Sequence, residues 1–197
     1  MNAVHMVRGN VMRKVIASVF VSVDGVFEDP SWSMPFWNSE AAKFADEQLA
    51  AADALLLGRV TYEGMAPAWM ARAEGADTGT ERMNALPKYV VTSTLDTPEW
   101  NATFLTGDLA AEVTALKQQD GGDLLVFGSG RLVNALLAHD LLDELRLWTL
   151  PVVQGGGRRL FGDDAPVKTL RPVGTTALGS SGAQVHAYVP AAAPAAG

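Results

Sequence analysis

The sequence predicts an α/β fold: a three-layer αβα sandwich around a mostly parallel central sheet, with antiparallel strands at the C-terminal end. Three observations carry this. Short apolar runs alternate with helix-period segments as far as about Val153. The run Val15 to Val23 is apolar on both faces, as a strand covered from two sides must be. Beyond Val153 the chain is strand-like, and Gly179-Ser180-Ser181-Gly182 separates two runs that suit an antiparallel hairpin. Such an order gives layers, because each helix crosses one face of the sheet.

In the first run Val15, Ala17, Val19, Val21 and Val23 alternate with Ile16, Ser18, Phe20 and Ser22, and Asp24-Gly25 closes it as a turn. Phe27 to Asn38 is rich in Pro, Trp and Phe and reads as a loop. Ser39 is the expected N-cap of a helix with Glu40 in its first turn. Ala41, Phe44, Ala45, Leu49 and Ala52 share one helical face, with Gln48 the misfit. Ala54 to Leu57 is a short buried strand, and Arg59 to Met65 opens a helix that Pro67 limits. A polar loop from Arg72 to Thr80 precedes a short helix, Glu81 to Leu86. Lys88 to Thr92 and Trp100 to Leu105 are strands. Leu109, Val113 and Leu116 mark a helix that Gly121-Gly122 stops. Leu124 to Phe127 is a strand, Leu132 to Leu141 an apolar helix, and Glu144 to Val153 a long strand broken by Gly155-Gly156-Gly157. The hairpin strands are Thr169 to Leu178 and Ala183 to Val189. Residues 12–189 therefore form one domain, between a flexible extension (1–11) and a disordered Pro/Ala tail (190–197).

Composition narrows the function classes. The chain has no cysteine, which excludes a disulfide scaffold, a thiolate nucleophile and a cysteine zinc site. Fifteen Lys and Arg stand against 22 Asp and Glu, a net charge of −7 that argues against a nucleic-acid partner. No apolar run reaches the roughly 18 residues of a membrane span. Arg8 and the lack of a long apolar core speak against a secretory signal, so a cytoplasmic location is expected. His5, His139 and His186 show no ligand spacing, and no metal is expected. Asp163-Asp164 follow a turn and read as solvated.

Open α/β sheets bind ligands at the carboxyl ends of their strands, which directs attention to two strand-to-helix turns. Leu57-Gly58-Arg59-Val60-Thr61-Tyr62-Glu63 and Phe127-Gly128-Ser129-Gly130-Arg131-Leu132 share one logic. Each has a buried strand, then glycine, then a helix opening whose first N–H groups favour an anion. Each adds an arginine, a planar fork for phosphate oxygens. Two such corners on one sheet edge suit a dinucleotide. The bland alternative is that glycine serves these junctions for steric reasons alone; the second turn lacks the third glycine of the Rossmann fingerprint.

Four landmarks occur in order: Ser22-Val23-Asp24-Gly25, Gly58-Arg59-Val60-Thr61-Tyr62-Glu63, Gly128-Ser129-Gly130-Arg131-Leu132, and Pro151-Val152-Val153-Gln154-Gly155-Gly156-Gly157 followed by Leu160-Phe161. Together they resemble the dihydrofolate-reductase-like family, in particular the C-terminal reductase domain of bifunctional riboflavin-biosynthesis enzymes. The resemblance covers Met12 to Val189. It implies a dihydrofolate-reductase-like sandwich, NADPH as cofactor, and hydride transfer to a small planar heterocycle, pterin- or pyrimidine-like. It implies that Gly58, Arg59 and Thr61 hold the pyrophosphate or adenosine phosphate, and that Ser93 and Thr94 line the 2′-phosphate side. Gly128, Ser129, Gly130, Arg131 and Leu132 would wrap the diphosphate near the nicotinamide. A homodimer is also implied.

Asp24 is then the candidate catalytic acid. A partly desolvated carboxyl has a raised pKa and supplies a proton or orients an N–H group; the alternative is a turn aspartate capping its own backbone. Ser22 is its possible helper at the substrate. Trp32, Phe36, Trp37 and Trp69 are expected near the same edge, with Trp37 against the substrate; alternatively they anchor the loop or fill a dimer interface. Two departures stand out. Val26 occupies the position where riboflavin-pathway reductases carry a lysine, and few other basic residues are expected near that edge. The rival function is a non-catalytic dimeric nucleotide-binding or interaction module on the same fold, favoured by the lack of a clear proton donor other than Asp24.

Overall fold

The computed structural model describes residues 12–72, 77–162, 165 and 167–192. The expected extension at 1–11, part of the loop after Arg72, Asp163-Asp164 and positions 193–197 lie outside the described residues.

Among the described residues eight strands make one sheet: β1 (Val15–Ser22), β2 (Ala52–Gly58), β3 (Lys88–Val91), β4 (Ala102–Leu105), β5 (Asp123–Phe127), β6 (Glu144–Leu150), β7 (Thr169–Ala177) and β8 (Gln184–Ala191). Their order is β4-β3-β2-β5-β1-β6-β8-β7. The first six run parallel; β8 is antiparallel to β6, and β7 to β8. Among the same residues five α-helices cover the sheet: α1 (Ser39–Ala51), α2 (Arg59–Met70), α3 (Thr78–Ala85), α4 (Leu109–Lys117) and α5 (Gly130–Ala138).

The alternation within β1 sorts the layers. Val15, Ala17, Val19 and Val21 pack with Val113 and Leu116 of α4 and with Leu132, Val133 and Leu136 of α5. Ile16 lies on the opposite face, where Leu55, Leu57 and Leu125 meet Leu49 of α1, Tyr62 and Ala66 of α2 and Met83 of α3. The expected sandwich is therefore formed, with α1 to α3 on one side and α4 and α5 on the other. One consequence positions the site. The neighbouring strands β2 and β5 send their chains to opposite faces, into α2 and α5, so a crevice opens beyond their carboxyl ends.

Several boundaries differ from expectation. Asn38, not Ser39, caps α1: its Oδ1 accepts the Ala41 N–H at 2.9 Å. Gln48, the misfit, is buried with the apolar residues of α1. Pro67 does not end α2, which runs to Met70; proline removes one N–H, while Tyr62 and Ala66 hold the helix on the sheet. Helix α3 starts earlier, because Asp77 caps it through the Thr80 N–H at 2.7 Å. Helix α4 ends at Lys117, ahead of the glycine pair, and α5 spans Gly130–Ala138. Strand β4 starts at Ala102, since Trp100 and Asn101 adopt left-handed backbone at φ 51° and 56°. A 3₁₀ turn, Pro30–Phe36, occupies the aromatic loop. Strand β8 continues to Ala191, two residues into the expected tail.

Candidate functional site

The two glycine-bearing corners meet. Ser129 Oγ accepts the Gly58 N–H at 2.9 Å, and Thr61 Oγ1 accepts the Ser129 N–H at 3.1 Å. The N-cap side chain of α5 and a side chain of α2 thus lock the two turns together. The Gly58 and Ser129 amides are therefore bonded within the protein. The first-turn amides of α2 and α5 remain without intrahelical partners, as at any helix start. Each hydroxyl accepts one backbone N–H and keeps its own proton to donate. Ser129 holds its place in left-handed backbone, φ 55°, directly after Gly128 at φ 50°. Leu132 is buried under the corner and contributes by packing.

Arg59 flanks the crevice, with Nη1 2.8 Å from Glu63 Oε2 one turn later. Both side chains are 43% exposed, so this is a weak surface pair that a phosphate can displace. Arg131 has no partner among the described residues. The β2–β3 register pairs Gly58 with Val91, which brings the exposed Ser93 and Thr94 beside the Gly58 corner. There the Thr92 hydroxyl accepts the Thr94 and Leu95 N–H groups, each at 3.2 Å.

Asp24 stands at the end of β1, and its environment reverses the expected pKa. Its Oδ1 accepts the Ser22 hydroxyl at 2.6 Å and the Gln154 N–H at 3.0 Å, and its Oδ2 accepts the Gly155 N–H at 2.9 Å. These bonds, that of Ser22 first, lower the pKa from 3.8 to about 2. The carboxyl is therefore ionised at neutral pH, not protonated. Its own backbone N–H adds a smaller contribution, and the carboxyl fastens the glycine-rich segment after β6 to the end of β1. Ser22 is buried and its hydroxyl also accepts the Val26 N–H at 2.9 Å, so it serves both Asp24 and the turn.

The same two segments run on side by side. Val26 bridges Arg159, the Phe27 N–H donates to Arg158 O, and the Leu160 N–H donates to Gly25 O. A Cβ at Gly157, which sits at φ 104°, would come within 2.9 Å of Val26 Cγ1. Sequence reasoning missed this pairing, although the run of three glycines signalled a close approach of backbone.

The aromatic residues divide. Trp37 stacks on Trp148 of β6, with centroids 6.1 Å apart and planes 9° apart, and Phe20 and Phe44 meet Trp148 edge-on. Trp148 Nε1 donates to Ser18 Oγ at 2.8 Å. Trp32 and Phe36 pack into the same cluster. Trp69 does not join them: it belongs to the cluster under α2 and α3, with the Arg72 guanidinium 3.8 Å over its ring. Trp37 keeps 44% of its surface exposed. Basic residues are also better represented at this edge than expected, since Arg131, Arg158 and Arg159 line one cavity.

Comparisons with known proteins agree with this architecture. The sequence profile of the RibD C-terminal domain matches residues 13–183. YyaP of Bacillus subtilis (strain 168), described as an uncharacterized protein, is 27% identical over 176 residues, which cover 88% of this chain and 93% of YyaP. A putative riboflavin biosynthesis protein from Shewanella sp. PV-4 superposes with a TM-score of 0.73 at 19% identity, covering 91% of this chain and 99% of that one. The dihydrofolate reductase of Enterococcus faecalis, solved with NADP(H), superposes with a TM-score of 0.61 at 18% identity, covering 90% and 96%. At such identities the superpositions speak for the fold alone. Among the described residues no helix is long and apolar enough to cross a membrane.

Proposed function

Since the chain belongs to the RibD C-terminal domain family, we propose that it is an NADPH-dependent reductase acting on a small planar heterocycle, pterin- or pyrimidine-like. The observation that carries this reading is the lock between Gly58, Thr61 and Ser129 at the ends of two adjacent strands. It holds two helix starts in one crevice, each beside an arginine, which suits a pyrophosphate. The donor set fits the coenzyme: two hydroxyl protons, first-turn amides and two guanidiniums. Gly58 fits it too. Its φ is an ordinary −82°, and a Cβ there would meet nothing closer than 3.6 Å, so the protein's own packing does not demand glycine. The space a side chain would take is left for a ligand.

Arg59 with Ser93 and Thr94 binds the 2′-phosphate, and Thr61 with Gly128 to Arg131 holds the diphosphate. When bound, NADPH supplies the hydride. Asp24 stays ionised and cannot donate, so the accompanying proton is drawn from water. Asp24 acts by holding the Gln154-Gly155 segment, and the remaining acceptor position on Oδ2 orients an N–H of the substrate. Trp37 offers its exposed ring to the heterocycle and excludes water. The enzyme is cytoplasmic and works as a homodimer; the long exposed stretch Arg171 to Ala177 on edge strand β7 supports pairing with a second copy.

The rival reading, a nucleotide-binding or interaction module without turnover, gains from the low pKa of Asp24, which removes that residue as a side-chain acid. Titration of the purified chain with NADPH and NADH, followed by addition of pterins and pyrimidines, separates the two. Coenzyme oxidation that depends on a heterocycle supports the reductase. Binding without turnover across the panel supports the module, and no binding removes both.

A further inference from the structure

The first turn of α5 has two flanks. On one, Ser129 locks to Gly58 and Thr61. On the other, Phe27, Gly130, Arg131, Asn134, Arg158 and Arg159 line a cavity of about 430 Å³. Its guanidiniums come from two segments far apart in sequence, the start of α5 and the stretch that pairs with the Asp24 turn.

The walls of this cavity are tied down. Asn134 Nδ2 donates to Gly130 O at 2.8 Å and to Leu160 O at 2.7 Å, which binds the 158–160 segment to α5. Arg159 Nε donates to Asp24 O at 3.0 Å, which fixes the base of its guanidinium and leaves the outer N–H groups free. Arg158 Nε lies 2.6 Å from Glu28 Oε1. Among the described residues Glu28 is the one carboxylate paired with these guanidiniums. The apolar side is Phe27 with Leu160. Gly130 permits this, because a Cβ there would collide with the Phe27 ring.

We propose that Arg158 and Arg159, with Phe27 beside them, make this cavity an anion-binding site next to the coenzyme crevice, that Arg131 stays with the coenzyme diphosphate, and that the ligand of the cavity carries a phosphate or carboxylate group on a flat or apolar body. Guanidinium forks match the two coplanar oxygens of such groups. An aromatic wall beside them favours an apolar body over a bare inorganic ion, and the volume suits a small molecule. The proposal does not rest on the coenzyme reading, since none of these contacts requires a nicotinamide.

Calorimetric titration of the full chain with phenyl phosphate and with benzoate tests it, each with and without saturating NADPH and with inorganic phosphate as the comparison. At least one aryl anion binds, more tightly than inorganic phosphate, and NADPH leaves its affinity unchanged. Arg159→Gln weakens it about 10-fold or more, the size of a lost charged hydrogen bond. Arg158→Gln, which leaves the Arg159–Asp24 contact in place, weakens it as well. Absence of binding by both aryl anions overturns the proposal, as does affinity unaltered in both variants. Displacement by NADPH overturns it too, because the cavity would then be part of the coenzyme crevice. Inorganic phosphate binding as tightly as the aryl anions removes the apolar body from the assignment. A chain that fails to bind NADPH still reports on the cavity in the coenzyme-free titration, so the two readings fail separately.

Discussion

Ser129 accepts the amide proton of Gly58 at 2.9 Å across 71 positions of sequence. Ser129→Ala leaves that N–H unpaired at a partly buried corner. Stability falls by about 1–3 kcal/mol, measured by urea unfolding, the usual penalty for a buried donor without a partner. NADPH affinity falls too, because the two helix starts are no longer locked. A variant with unchanged stability would show the lock to be dispensable.

Gly58→Ala separates binding from folding. The backbone there is ordinary and the added methyl meets no atom closer than 3.6 Å. Stability changes by less than about 1 kcal/mol, because alanine restricts the unfolded chain but caps α2 less well than glycine. Coenzyme affinity drops, since the methyl fills the crevice. Paired melting and titration curves check both halves; intact affinity would show that the glycine is not there for a ligand.

Asp24→Asn reports on acid stability. The folded pKa is about 2 against 3.8 for an unperturbed carboxyl. The unfolded state therefore binds the extra proton between these values, and the carboxylate's contribution is full above about pH 4 and fades as pH falls toward 2. Thermal melts from pH 2 to 7 should show wild type above the variant at neutral pH, with the gap closing on acidification. A gap independent of pH would contradict the hydrogen-bonded carboxylate.

Lys88 gives the opposite limb. It is fully buried at the start of β3, with Nζ donating to Asn84 O at 2.9 Å and lying 4.1 Å from the Trp100 ring centroid. Burial pulls its pKa down from 10.5 to about 8. The unfolded chain binds more protons between these values, so stability rises with pH from about 8 to 10.5. Urea unfolding of Lys88→Met across that range loses this rise, and wild type gains relative to the variant as pH increases. Parallel curves would place the titration elsewhere.

How far the sequence reached follows from the range of each interaction. Strand alternation and glycine turns are local, and they placed the layers, the strands and both corners. Helix ends were less legible because caps compete: Asn38 outbid Ser39, and Asp77 began α3 before its apolar residues did. Pro67 misled because packing of Tyr62 and Ala66 carries α2 past one missing N–H. The reversal at Asp24 was legible only in part: its first cause, the Ser22 hydroxyl, lies two residues away, but the Gln154 and Gly155 amides that complete it lie 130 and 131 positions away. The meeting of Arg131 with Arg158 and Arg159 likewise depends on how two distant segments pack.

The most direct test of the coenzyme assignment is the affinity of Arg59→Ala for NADPH and for NADH. Arg59 is assigned to the 2′-phosphate, which only NADPH carries. NADPH binding should weaken about 10- to 100-fold, the range for a lost hydrogen bond to a charged group, while NADH changes far less. Equal losses for both coenzymes, or a wild-type chain that binds neither, would contradict the assignment.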